Sequence, residues 1–128
     1  MLKTFQTSVK NNKSLQKQGV TASGKNLKKK SRIDITVSPN DLKKPKFEIL
    51  KKYIGELHKC FLDYQNQWPF LKSMFNTLYV PSFNIQKYLP GDHFAELHSE
   101  RTSFNTIHRL FAWMTYLNDV DEGGETYF

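Results

Sequence analysis

The hydrophobic period of this chain changes near Pro81, and that change limits the folds that the chain can adopt. Before Pro81, apolar residues recur at three- and four-residue steps, the spacing that lines one face of an α-helix. The residues in that pattern are Phe47, Leu50, Ile54, Leu57, Phe61 and Tyr64. Together with the break at Trp68-Pro69, where the residue before proline disfavours helical backbone, they predict a helix over residues 40–67.

After Pro81 the pattern becomes that of strands. Apolar and polar residues alternate from Phe83 onwards, which predicts a strand over residues 83–89, followed by a turn at Pro90-Gly91-Asp92. Further strands are predicted over residues 94–98, 108–117 and 125–128, the third of these being an almost continuous apolar run. A helix followed by antiparallel strands predicts a mainly β domain with an N-terminal helix.

Charge divides the chain at a different place. Residues 1–52 hold fourteen Lys or Arg against three Asp or Glu, whereas residues 53–128 hold five against nine. We interpret residues 1–37 as a basic, disordered leader and residues 38–128 as the domain. Residues 25–32 carry the densest cluster of cations, which favours binding to nucleic acid or to an acidic surface, although a solvated tail explains the same composition.

No stretch approaches the roughly 20 apolar residues that a membrane-spanning helix needs, and the leader lacks the apolar core of a secretory signal. A single cysteine, Cys60, excludes an internal disulfide. We therefore expect a soluble, cytoplasmic protein that does not act on membranes. A zinc site built from Cys60 and histidines is a weaker idea, because no paired-cysteine spacing accompanies it.

His98 and Glu100 are the candidate metal ligands. Side chains two residues apart in an extended segment point to the same face, so an imidazole and a carboxylate converge there. Nitrogen and oxygen ligands in this arrangement suit a non-haem Fe(II) centre held by two histidines and one carboxylate. Neither His93 beside the turn nor His108 at a strand start is expected to be the missing histidine, and His58 is expected to face solvent from the helix.

The order of motifs in the second half resembles a known enzyme family. The motifs are Tyr88-Leu89-Pro90-Gly91-Asp92-His93-Phe94, His98-Ser99-Glu100, Arg109, Tyr116-Leu117-Asn118-Asp119-Val120 and Glu122-Gly123-Gly124-Glu125-Thr126. In this order they resemble the 2-oxoglutarate/Fe(II)-dependent dioxygenases of the prolyl 4-hydroxylase type, and look closest to the branch seen in phage and marine bacterial proteins. The resemblance covers residues 84–128, is weaker over the helix and is absent before Ser38.

The resemblance implies a fold and a site. The fold would be part of a double-stranded β-helix, or jelly roll, with His98 as the first iron histidine and Glu100 as the carboxylate, where the family more often has aspartate. Tyr88 and Tyr116 match positions from which such enzymes direct phenol groups towards 2-oxoglutarate; ordinary core tyrosines are the alternative. Thr126 is a weaker candidate of the same kind.

The resemblance also implies a reaction. Fe(II) and the co-substrate 2-oxoglutarate would react with dioxygen to hydroxylate a peptidyl or small-molecule C–H bond, giving succinate and CO2; dependence on ascorbate is left open. In the family a second iron histidine, and a Lys or Arg that anchors 2-oxoglutarate, follow the Gly-Gly-Glu-Thr turn by several tens of residues. We therefore expect this chain to be a C-terminally truncated fragment. The alternative is a non-catalytic scaffold that binds nucleic acid or an acidic partner through its basic leader.

Overall fold

The protein is described by a computed structural model that covers residues 13–20, 26–28, 30–75 and 77–127. Its main sheet is antiparallel and has the order β1 (Lys17–Gln18), β3 (Ile33–Val37) and β4 (Phe83–Lys87). The register of the central pair sets Ile35 opposite Ile85 and Val37 opposite Phe83. Because side chains alternate along a strand, Ile35 and Val37 share the buried face of β3 while Thr36 is exposed.

One long helix covers this buried face. The chain passes through 3-10 turns at Asp41–Lys43 and Pro45–Phe47 before helix α1 (Glu48–Gln67) begins, and a short helix α2 (Phe70–Met74) follows. Phe47 and Leu50 pack with the buried residues of β3 to form the hydrophobic core. The predicted helix over residues 40–67 is thus confirmed over residues 48–67, while residues 41–43 and 45–47 form the two tighter turns.

A smaller sheet joins the basic segment to the turn region. Strand β2 (Lys30–Ser31) pairs antiparallel with β5 (His93–Phe94), with Lys30 opposite Phe94 and Ser31 opposite His93. Residues 30–37, which precede the predicted domain start at residue 38, thus contribute strands and core residues, while the extent of the domain stays a prediction. A hydroxyl-to-carboxylate hydrogen bond from Ser31 to Asp92 reinforces the same junction.

The predicted strands agree with the structure only in part. Strand β4 lies inside the predicted 83–89, and β5 ends at Phe94 where a strand over residues 94–98 was expected. Residues 108–117 and 125–127 form no strand, so those two predictions are corrected; Phe128 lies outside the described residues. A strand requires hydrogen bonds to a neighbouring strand, and within residues 108–117 Phe111 instead places its ring against Phe61 and Tyr64 of α1. The described part of the chain therefore forms helix and small antiparallel sheets.

Within the described ranges, neither helix combines the length and the apolar character that crossing a bilayer requires.

Candidate functional site

His98 and Glu100 do converge, as their spacing predicts. The Nε2 atom of His98 lies 3.3 Å from Oε1 of Glu100. Both side chains are about half exposed, in a segment after β5 that has no regular secondary structure and bends at Glu100. Two ligands bound at about 2 Å from one metal ion, at right angles to each other, lie roughly 3 Å apart. The pair therefore fits two neighbouring coordination positions of a single ion.

The tautomer of His98 also suits a metal ligand. Its Nδ1 atom lies 3.0 Å from the backbone carbonyl oxygen of Glu96, and a carbonyl oxygen only accepts a hydrogen bond. Nδ1 therefore carries a proton, and Nε2, the nitrogen nearer Glu100, is the one that would bind a metal ion. Metal-binding histidines are commonly oriented in this way, by a hydrogen bond from the other ring nitrogen.

Glu100 is held by an arginine across a loop. The Nη1 atom of Arg109 donates to Oε2 of Glu100 at 2.7 Å, so that Oε1 remains on the His98 side. The loop between them is closed by Arg101, whose Nε donates to the carbonyl oxygen of Ile107. Arg109 is one of the motif residues, but the sequence did not indicate which carboxylate it would pair with.

A third ligand is not supplied by the described part of the chain, where no group of three or more His, Cys, Asp or Glu side chains is placed to hold a metal ion. His93 is engaged elsewhere, because its ring nitrogens lie 3.1 Å from the carbonyl oxygen of Lys28 and 3.3 Å from that of Gly91. These two hydrogen bonds, the one to Lys28 first, raise the pKa of His93. His58 packs its ring near Phe61, and Cys60 is exposed.

Beneath His98 lies a cluster of aromatic rings and cations that the sequence did not indicate. The ring of Phe94 stacks on the imidazole of His98, with centroids 4.5 Å apart. Lys30 and Arg32 lie over the Phe94 ring at 4.7 and 5.4 Å. Burial, and then the nearby charge of Arg32, lower the pKa of Lys30, whose amine donates to the carbonyl oxygen of Val20.

The same cluster changes the interpretation of the basic segment 25–32. Lys30 and Arg32 are buried within the fold, while Lys28 is exposed; Lys25 and Lys29 lie outside the described residues. Two cations that were attributed to a nucleic-acid patch thus make contacts inside the protein. Binding of nucleic acid or of an acidic partner stays a prediction for the remaining lysines.

The two candidate tyrosines have different surroundings. The hydroxyl of Tyr88 accepts a hydrogen bond from Nη1 of Arg32 at 2.7 Å, which connects Tyr88 to the cluster under His98. The hydroxyl of Tyr116 instead lies 3.0 Å from that of Thr126. Tyr116 lines an open pocket of about 270 Å³ with Asn118, Asp119, Val120, Gly123, Gly124 and Glu125. Only the first tyrosine is therefore connected to the candidate ligands by the contacts described above.

Comparison of the chain with protein-family models, with curated proteins and with solved structures finds no match. The features that bear on function are therefore the chain's own residues and the order of its motifs.

Proposed function

We propose that this chain is part of an Fe(II)/2-oxoglutarate-dependent oxygenase of the prolyl 4-hydroxylase type, in which His98 and Glu100 are two of the three protein ligands. The observation that carries the proposal is the 3.3 Å approach of the imidazole nitrogen to the carboxylate oxygen, with the other nitrogen bonded to a carbonyl. The strands described here would belong to a larger double-stranded β-helix. The third ligand and the cation that anchors 2-oxoglutarate would come from residues other than those described.

The chain's own residues would contribute orientation and charge balance. The hydrogen bond to the Glu96 carbonyl holds the His98 ring, and Arg109 holds Oε2 of Glu100, which leaves Oε1 on the side of His98. Tyr88 would donate its phenolic proton to a carboxylate of 2-oxoglutarate; the same role for Tyr116 stays a prediction. When bound, iron with 2-oxoglutarate and dioxygen supplies the oxidising chemistry that hydroxylates a peptidyl or small-molecule C–H bond and yields succinate and CO2.

The test is an anaerobic titration of the full chain with Fe(II) in the presence of 2-oxoglutarate. We expect His98→Ala and Glu100→Ala each to weaken Fe(II) binding by at least roughly 10-fold, since even an outer partner of a ligand is typically worth that much. His108→Ala is the matched control, because it removes another exposed imidazole from the same half of the chain. Equal affinity in the wild type, His98→Ala and His108→Ala proteins would exclude His98 as a ligand and overturn the proposal.

A further inference from the structure

Arg32 belongs to a segment with the composition of a basic tail, yet it is only 6% exposed. Its guanidinium group is held on several sides. Nε donates to Oδ1 of Asp34 at 2.8 Å, and Nη1 donates to the hydroxyl of Tyr88 at 2.7 Å. The group also lies over two aromatic rings, 5.7 Å from the centre of Tyr88 and 5.4 Å from that of Phe94. An arginine with so many partners has one orientation rather than many.

Arg32 is connected to the candidate ligand His98 through one side chain, the ring of Phe94. Phe94 contacts both the guanidinium group and His98, and its plane is tilted by 32° from the imidazole at a centroid distance of 4.5 Å. A cation over one part of an aromatic ring and an imidazole stacked on it restrict how that ring can turn. The orientation of His98 is thus coupled to Arg32, although the two residues belong to segments far apart in sequence.

The backbone around Arg32 makes this arrangement rigid. Arg32 lies between β2, which pairs with the strand that carries Phe94, and β3, which pairs with β4. Its carbonyl oxygen accepts a hydrogen bond from the backbone N–H of Gly19 at 2.9 Å. Gly19 approaches so closely that a Cβ atom there would lie 2.9 Å from Cγ of Arg32. Packing this tight leaves the stem of the arginine little room to move.

We propose that Arg32 is a positioning residue of the candidate oxygenase site, acting on His98 through Phe94 and on Tyr88 directly. By donating to the Tyr88 oxygen, Arg32 turns the phenolic proton outward, where a carboxylate of 2-oxoglutarate can accept it. Asp34 balances the charge of Arg32, so that a buried cation near the site does not repel a divalent metal ion. The inference rests on the proposed function, because it assigns supporting residues to the same site.

A lysine cannot replace this arginine fully. The planar guanidinium group donates to Asp34 and Tyr88 in fixed directions and lies over two rings at once, whereas an ammonium group is a point charge on a flexible stem. Arg32→Lys keeps the charge and removes the planar geometry, while Arg32→Gln removes both the charge and the fork of donors. Lys28→Gln is the matched control, since it removes an exposed cation from the same segment and keeps the backbone carbonyl that His93 contacts.

The experiment measures two quantities on the full chain of each variant. The first is the position of the His98 ring C–H resonances in NMR spectra without metal, assigned by their loss in His98→Ala; this position reports the stacking with Phe94. The second is the affinity for Fe(II) under anaerobic conditions with 2-oxoglutarate. We expect Arg32→Gln to shift the resonances and to weaken Fe(II) binding roughly 10-fold, Arg32→Lys to be intermediate, and Lys28→Gln to match the wild type.

Each failure has a separate signature. If His98→Ala binds Fe(II) as the wild type does, the proposed function fails, and the resonances alone then decide whether Arg32 holds the ring. If His98→Ala loses binding but a folded Arg32→Gln keeps both the resonance positions and the affinity, the positioning role is overturned. If circular dichroism shows that Arg32→Gln is unfolded, Arg32→Lys decides: wild-type resonances and affinity in that variant overturn the inference.

Discussion

Two regions of this protein contain similar proportions of apolar residues and use them differently. In residues 33–50, the side chains of Ile35, Val37, Phe47 and Leu50 are buried together between the sheet and α1. In residues 95–127, Leu97 is 87% exposed and Phe104 is 95% exposed, and no residue of that part is buried. The first region forms a core because β3 has a partner strand on each side. Apolar sequence therefore becomes a buried strand only where another segment supplies hydrogen bonds and a covering layer.

The strongest test of this comparison is a pair of leucine substitutions. Leu50→Ala removes a side chain that is 3% exposed in the core, and we expect the free energy of unfolding to fall by about 2–5 kcal/mol. Leu110→Ala removes a side chain that is 51% exposed, and we expect a change within about 0.5 kcal/mol. Urea denaturation followed by circular dichroism measures both. A similar loss in the two variants would mean that the second region also has a core.

A pair of glycine substitutions sharpens the description of the first region. Gly19→Ala would bring a methyl group against Cγ of the buried Arg32, so we expect a loss of about 1–3 kcal/mol in the free energy of unfolding. Gly55→Ala is the control: its new Cβ would meet nothing within 4 Å on the exposed side of α1, and alanine favours helix by about 0.5–1 kcal/mol over glycine. Thermal denaturation should therefore show a lower unfolding midpoint for Gly19→Ala and a higher one for Gly55→Ala than for the wild type. A stabilised Gly19→Ala protein would contradict the close packing of β1 against Arg32.

The contact of the second region with α1 and with Phe75 is tested by a pair of phenylalanines. Phe111 lies against Phe61, Tyr64 and Phe75 with ring centroids 5.7–6.0 Å apart. Because its ring is one-third exposed, we expect Phe111→Ala to cost about 1–2 kcal/mol of unfolding free energy, while Phe104→Ala should change almost nothing. Denaturant titrations of both variants measure the difference. Identical midpoints for the two would show that residues 108–117 do not pack on α1.

The smallest expected effect is a pH dependence at the junction of the basic segment with β5. Hydrogen bonds from the ring to the carbonyl oxygens of Lys28 and Gly91 raise the pKa of His93 above its ordinary value of 6.5. The folded state therefore binds the proton more tightly than the unfolded state does. This contribution to stability is fully present below pH 6.5 and is lost as the pH rises through the raised pKa.

Unfolding midpoints measured from pH 5 to pH 8 check this direction. His93→Gln should remove the decline above pH 6.5, whereas His108→Gln, at an exposed histidine of the second region, should retain it. A decline that persists unchanged in His93→Gln would assign the titration to another group.

Sequence patterns over a few residues predicted the elements that depend only on local backbone geometry. The three- and four-residue spacing placed α1, and the alternation after Pro81 placed β4. Strand β3 was missed although Ile33, Ile35 and Val37 alternate with Asp34 and Thr36, because the dense lysines before it suggested a tail. The strand over residues 108–117 was expected from its apolar composition, and that over residues 125–128 as its return after the connection at 118–124. Neither pattern reveals whether a neighbouring strand is present.

The candidate site divides in the same way. The two-residue spacing of His98 and Glu100 predicted their approach, which the structure shows although the segment bends at Glu100 and forms no strand. The partners of these residues were not predictable: Arg109 reaches Glu100 across nine residues, and Arg32 reaches Tyr88 across 56. Such contacts depend on how the turns and strands bring distant segments together.

The sequence by itself determined the long helix, the strand after Pro81 and the shared face of the histidine and the carboxylate, since each follows from backbone geometry over a few residues. The tertiary structure alone decided that part of the basic segment is buried, that Arg32 contacts Tyr88 and Phe94, and that residues 108–117 form no strand while Phe111 lies on α1. The physical reason is that burial and strand pairing are properties of two segments in contact, and neither segment carries that information alone.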